Sequence, residues 1–465
     1  MGTTMHNRTL KLARLSIAAA ALLAVGVSTT LAAEPEKTHA TGETFVIGTD
    51  APSPNVASFE VQIVSIDALN AKGVSTPLLN GPQMVDFARY NGLQTLLDIS
   101  SVPVGTWDKI VITLGPATIG YLATTPGAAP TLQTEAATFT KTTLTHKLAA
   151  PLVVTADEPV GVRMDFDLYK SITTDSTGKI SSTVDPVFNI SVARPGDPSV
   201  YIDQFDAAVT GVAPDMQSFT IQGPHGRNWT IDVSGSTVWD KGAVIGDLSK
   251  STIVQVSGNL ETADSTISAD QVGILSQSGF YAAGQATYVT PGTDGASSFD
   301  LYVRGLLPST TGITLGQIAQ IDLTGTEKYF VLWHRNPLTE FVFNSSALLP
   351  GQSIAVGGPA TGAANPEAVS VNRIVLRNWG FNGTVVPGSV KVGKGTFELK
   401  IDGFAGVLVP QAVKVYVTDW TDFRNGYAGI SDLGGSDTVR VVGLLLKNPA
   451  DGNTVLVARY VDGLD

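Results

Sequence analysis

Few residues in this 465-residue sequence have the types and spacing that chemistry needs. The five histidines, His6, His39, His146, His225 and His334, stand far apart. No His-x-x-x-His pair exists to grip zinc from one helix face, so they read as surface or loop residues. Asp165 and Asp167 alternate along one strand beside Arg163. They admit a calcium site, with Asp50 or Asp185 as further donors. Calcium needs about six to eight oxygens, usually from a loop. A solvated polar face with a cross-strand ion pair is the simpler expectation. Paired carboxylates could also serve a glycosidase, but any acidic chain contains such pairs. Gly388-Ser-Val-Lys-Val-Gly-Lys-Gly395 approaches a phosphate-binding loop. It has glycine where a magnesium-ligating hydroxyl belongs, and strand-like residues on both sides, so it reads as a hairpin. There is no Gly-x-Ser-x-Gly elbow and no cysteine nucleophile.

Aromatic residues gather at Tyr329 to His334, at Phe341 and Phe343, and at Trp420, Phe423 and Tyr427. On paired strands of a small barrel they are expected to fill the core. A sugar-stacking platform would instead require Trp333 or Trp420 on an exposed flat face. The sequence therefore assigns no catalytic, cofactor-binding or metal-binding residue. An unidentified protein or a glycan is the expected partner.

The elements that would hold these residues are strands. Charged residues are only 15% of the chain, and 48 glycines and 25 prolines supply turns between runs of Val, Ile and Thr. Phe59, Val61 and Ile63 alternate with polar residues, as do Val160, Val162, Met164, Phe166 and Leu168. Gln83 to Ile99 fits either one helical turn or two short strands about Asn91-Gly92. All-β is the expected class. The net charge of −12 and the lack of clustered Lys and Arg exclude a nucleic-acid binder. Without cysteine there is no disulfide, so packing and sheet hydrogen bonds must carry the fold.

Residues 1–33 have the form of a secretory signal. Arg8, Lys11 and Arg14 precede the apolar run Leu15 to Val27, and Thr30-Leu-Ala-Ala33 offers small residues for cleavage. The run is short of the roughly 20 residues of a membrane-spanning helix, with an uncleaved N-terminal anchor as the alternative, and no later stretch is long enough, so the mature chain has none. Residues 34–42 read as a flexible lead. The expected destination is the periplasm, the cell surface or the medium.

Residues 43–198 read as a β-sandwich. Residues 203–278, 279–380 and 381–465 read as three related small barrels. The repeat is carried by a valine-rich segment closed by glycine: Ile253 to Gly258, Ile354 to Gly358 and Val439 to Gly443. Each follows a turn bearing a leucine, at Asp247-Leu248, Leu348-Leu349 and Asp432-Leu433, and each precedes a second valine-rich segment. Each unit is expected to open with a strand just after Gly211, Gly284 or Gly383.

The motifs Thr49-Asp-Ala-Pro52, Val85-Asp-Phe87 with Leu96-Leu97, Val102 to Trp107 and Asp165 to Ser171 resemble, in order, the bacterial domain of unknown function 4382. That resemblance implies an exported, transthyretin-like sandwich and brings no catalytic residue. Its members are often lipoproteins, whereas this chain lacks the cysteine. The repeats resemble the domain of unknown function 5666, which implies small oligonucleotide-fold-like (OB-like) barrels. A fold of that shape does not imply nucleic-acid binding. The expectation is a non-enzymatic, exported string of β-domains acting as scaffold, adhesion or binding surface. The alternatives are a carbohydrate binder using the repeats' aromatic residues and a hydrolase using paired carboxylates.

Overall fold

The computed structural model describes residues 40–464, apart from 52–55, 91–92, 124–127, 175–179, 198–199, 224–227, 240–242, 263–264, 278, 309–312, 333–340, 360–368 and 410. The signal-like segment lies outside the described residues, as do Asn91-Gly92, Trp333, His225 and His334. Residues 40–465 form one compact unit.

The first part is a sandwich of a four-stranded and an eight-stranded sheet. The small sheet joins Phe188–Ala193, Val160–Asp167, Thr41–Ala51 and Thr95–Pro103. The centre of the large sheet pairs Val56–Leu69 with the 19-residue strand Gly105–Ala123. Phe59, Phe87, Phe166 and Phe188 pack between the sheets, with Phe166 edge-on to Phe59 and stacked on Phe188. The run Phe45-Val-Ile47 is apolar throughout because the small sheet is buried on both faces. Val46 faces the sandwich core, whereas Phe45 and Ile47 face the first barrel. The ambiguous stretch is a strand at Gln83–Asp86, a 3-10 turn at Phe87–Tyr90 and the strand from Thr95.

The three barrels share one strand circuit. In the first, the strands are Tyr201–Val212, Ser218–Gln222, Asn228–Asp232, Ile253–Thr262 and Thr266–Ser276. They run in spatial order three-two-one-four-five, and the third closes on the fifth in parallel. The last barrel repeats this with Trp379–Val385, Thr396–Ile401, Val413–Tyr416, Thr438–Lys447 and Thr454–Gly463. The middle barrel uses Phe280–Gly292, Gly295–Leu307, Ile318–Asp322 and Ser353–Gly358, and its fifth strand is broken into Val369–Ser370 and Arg373–Arg377. Its third strand pairs with the first piece, so the same circuit is completed across the break. This is the strand order of an OB-fold.

The repeated sequence features have plain structural causes. A 3-10 turn precedes each fourth strand, and Leu248, Leu348 and Leu433 follow it into the cores. Gly258 and Gly443 sit at bulges in the four-five ladder. A Cβ there would lie 2.1 Å from the carbonyl oxygens of Ser268 and Val457. Gly258, Gly358 and Gly443 face Ile202, Phe280 and Trp379, near the start of each first strand. Gly211, Gly284 and Gly383 lie inside those first strands, which correct the expected openings by starting earlier, at Tyr201, Phe280 and Trp379.

The units do not form a string. Each touches the other three. Ile253 and Leu275 of the first barrel pack with Tyr281, Ala355 and Val375 of the second. Ala57 and Leu122 of the sandwich meet Tyr302 of the second. Leu93 of the sandwich enters the core of the third. Leu444, Leu446 and Val457 of the third join the core of the second.

Candidate functional site

Ionisable side chains are drawn into the seams between units. At the centre is Asp206, on the first strand of the first barrel. Arg377, from the end of the second barrel's fifth strand, places Nη2 at 3.0 and 2.9 Å from its two carboxylate oxygens. The side chains are 5% and 2% exposed. The Tyr281 hydroxyl, also from the second barrel, donates to the same carboxylate. Arg89, from the sandwich's 3-10 turn, approaches it at 3.4 Å. Arg377 also donates to Gln204 Oε1 at 2.8 Å and to Gln255 Oε1 at 2.6 Å. Burial pushes the Tyr281 hydroxyl far above its ordinary range, which keeps it a donor.

The same construction recurs at the other seams. Arg459 of the third barrel lies 3.3 Å from Asp203 of the first and donates to the Tyr201 hydroxyl at 2.8 Å. Burial pushes Tyr201 up to about 12. Asp203 also accepts the Gln94 backbone N–H of the sandwich at 2.9 Å. Arg304 of the second barrel lies 3.8 Å from Asp86 of the sandwich and over the rings of Tyr302 and Trp379. Burial raises Asp86 and Asp203, with Arg304 and Arg459 opposing the rise.

Asp165 and Asp167 are placed differently from expectation. They do not form a solvated face, because the third barrel covers that side of the sheet. Arg440 of that barrel donates to the Asp50 backbone oxygen at 3.2 Å. Asp50 is fully buried on the strand beside Asp165. Burial, then the nearby Asp165, hold its carboxyl well above the usual range, with Arg440 opposing. Asp167 is 4% exposed and caps the short helix Leu168–Ser171, accepting the Lys170 N–H at 3.0 Å and pairing with the Lys170 ammonium at 2.8 Å. Leu168, read as the end of the strand, begins that helix. Asp185 belongs elsewhere, accepting from the Thr140 hydroxyl. Among the described residues, no three acidic or histidine side chains come together as a metal ion would need.

The aromatic clusters fill cores. Phe341 and Phe343 are buried in the second barrel, where Tyr329 packs edge-on to Phe343. Phe341 reaches across to Tyr416 of the third. Trp420 differs, with 50% of its surface exposed. His146 lies on the strand Thr143–Val154 of the large sheet. Gly388 to Gly395 is the turn between the first two strands of the third barrel, with a 3-10 turn at Val392–Lys394. The strand Thr396–Ile401, not a helix, directly follows it.

The seam residues were hidden in the sequence. Arg304, Arg377 and Arg440 sit in strands where a charge ordinarily marks the solvent face. The one available signal is that each interrupts or ends an otherwise apolar run, as in Tyr302-Val-Arg-Gly305 and Ile374-Val-Leu-Arg377.

Comparison with curated proteins returns no match. Residues 41–185, all of the sandwich but its last strand, match the family model of Domain of unknown function (DUF4382). Residues 207–273, within the first barrel, match that of Domain of unknown function (DUF5666), and the shared strand circuit extends this barrel fold to the two units that follow.

Proposed function

We propose that this chain is an exported, non-enzymatic β-scaffold of the bacterial envelope or the secreted fraction, presenting a binding or adhesion surface from one rigid body. The observation that carries this is the use of its buried ionisable groups. Asp206, Arg377, Asp203, Arg459, Asp86 and Arg304 pair across boundaries between units. Groups held in such pairs fix the position of one unit against the next. A body joined in this way serves as a spacer or platform. The signal-like sequence of residues 1–33 supports export.

Fractionation of a C-terminally tagged chain tests the reading. Recovery outside the inner membrane, trimmed after Ala32 or Ala33, is the expected result. Retention of the full-length chain in the cytoplasm would overturn it. Glycan binding through aromatic residues is a second reading, favoured by the half-exposed Trp420. Loss of glycan-array binding in Trp420→Ala, with the fold intact, would support it.

A further inference from the structure

The three barrels share a circuit but not a surface. The central pair facing outward from the second and third strands is Thr220 opposite Thr230 in the first barrel and Asp300 opposite Gln320 in the second. In the third it is Glu398 opposite Lys414. Two cavities adjoin it there. One, of about 400 Å³, is walled by the turn after the first strand and includes Lys391, Lys394 and Ser389. The other, of about 520 Å³, is walled by the turn between the fourth and fifth strands, through Asn448, Asp451 and Asn453, and by Gln411. Its apolar side includes Leu408 and, from the second barrel, Leu349. Glu398 and Lys414 line both cavities, so the two form one groove over this face. Each volume falls within the roughly 300–1,000 Å³ of small-ligand sites.

We infer that this groove on the third barrel binds an acidic oligosaccharide. Its carboxylates meet Lys391, Lys394 and Lys414, and its hydroxyls meet Gln411, Asn448, Asp451 and Asn453. Three lysines converge at one end of a chain whose net charge is −12. Among the described residues none of the three lies in an ion pair. Lys391 Nζ donates only to the Gly388 carbonyl, at 2.8 Å. Carboxylates form charge-assisted hydrogen bonds with such ammonium groups. At the other end, amides and carboxylates suit hydroxyls, which both donate and accept. The ionised side chains of an acidic peptide only accept hydrogen bonds, whereas sugar hydroxyls also donate, as Glu398 and Asp451 require. A nucleic-acid strand is disfavoured because base stacking needs exposed rings. The one aromatic residue in the groove's walls, Phe397, is 1% exposed and belongs to the core. In a barrel of this strand order the same face and flanking loops are those suited to extended polymers. The inference rests neither on the scaffold reading nor on Trp420.

Titration of the purified full chain with tetragalacturonate, maltotetraose, tetraglutamate and an oligothymidylate tests it. Tetragalacturonate is expected to bind, more weakly as salt rises, and maltotetraose far more weakly. Lys394→Ala and Lys414→Ala should each lower the affinity by about tenfold. Gln411→Ala should weaken binding without changing its salt dependence. Lys328→Ala, on the second barrel, should change nothing. All these positions are exposed, and an unchanged melting temperature verifies the fold. Absence of tetragalacturonate binding at millimolar concentration would overturn the inference, as would binding indifferent to Lys394 and Lys414. Equal, lysine-dependent binding of tetraglutamate or the oligothymidylate would also overturn it, by showing a general polyanion surface.

Discussion

Arg377 shows what a single side chain does here. Its guanidinium engages Asp206, Gln204 and Gln255 from the first barrel and the Tyr281 hydroxyl from its own. Removing Arg377 leaves Asp206, in a poorly solvating interior, with only the longer Arg89 contact and the Tyr281 hydroxyl. Arg377→Ala is expected to cost about 3–5 kcal/mol in urea unfolding. Tyr281→Phe removes one hydrogen bond to the same carboxylate and should cost less, about 1–3 kcal/mol. Asp50 behaves in the opposite sense. Its carboxyl accepts the Leu168 N–H at 3.4 Å, and the Arg440 contact goes to its backbone oxygen rather than to the carboxylate. Its folded pKa is raised, so its stabilising contribution is complete below the unfolded value near 3.8 and is lost as pH rises through the folded value. Asp50→Asn is therefore expected to flatten the fall of stability that begins as pH rises above about 3.8, read from urea midpoints, and to raise stability at neutral pH. A wild-type profile with no such fall would contradict the assignment. None of this was legible beforehand. The pattern Gly161, Arg163, Asp165, Asp167 alternates as a solvent face does, and only contact with the third barrel, almost three hundred residues on, reveals that the face is covered.

At the scale of elements the sequence was far more legible, because local sterics leave marks. The leucine after each 3-10 turn and the glycine ending each fourth-strand segment recur since each barrel needs a plug and, in the first and third, a bulge. At Gly443 a Cβ would meet the Val457 carbonyl at 2.1 Å. Gly443→Ala must displace the four-five ladder and should cost about 1–3 kcal/mol, checked by the unfolding midpoint. Gly388→Ala is a useful contrast. Nothing lies within 4 Å of its added carbon, so only its left-handed backbone, φ +74°, resists substitution. A smaller loss, about 1 kcal/mol, is expected there. Strand order and the parallel closure of third on fifth left no comparable mark, since pairing partners lie tens of residues apart and any valine-rich strand suits several neighbours.

For the whole molecule, the sequence suggested beads joined by linkers, and the structure places all four units against one another. Nonadjacent units meet as closely as adjacent ones, through Leu93 in the third barrel's core and Arg459 on Asp203. Small-angle scattering of residues 40–465 should therefore yield the radius of a single compact body. A broad, elongated distance distribution would contradict it. The groove on the third barrel belongs to this scale too, because Leu349 and Pro350 of the second barrel complete its wall.

The join between the last two barrels has a mechanical meaning. The second barrel's final strand ends at Arg377 and the third's first strand begins at Trp379, leaving Asn378 between them, itself buried and held through its carbonyl by Gln204 at 2.8 Å. There is no slack to pay out when the polypeptide is stretched. Drawn between its two ends in a force spectrometer, the body should resist and then give way in one large rupture, where a tethered chain of modules would yield a sawtooth of separate ones.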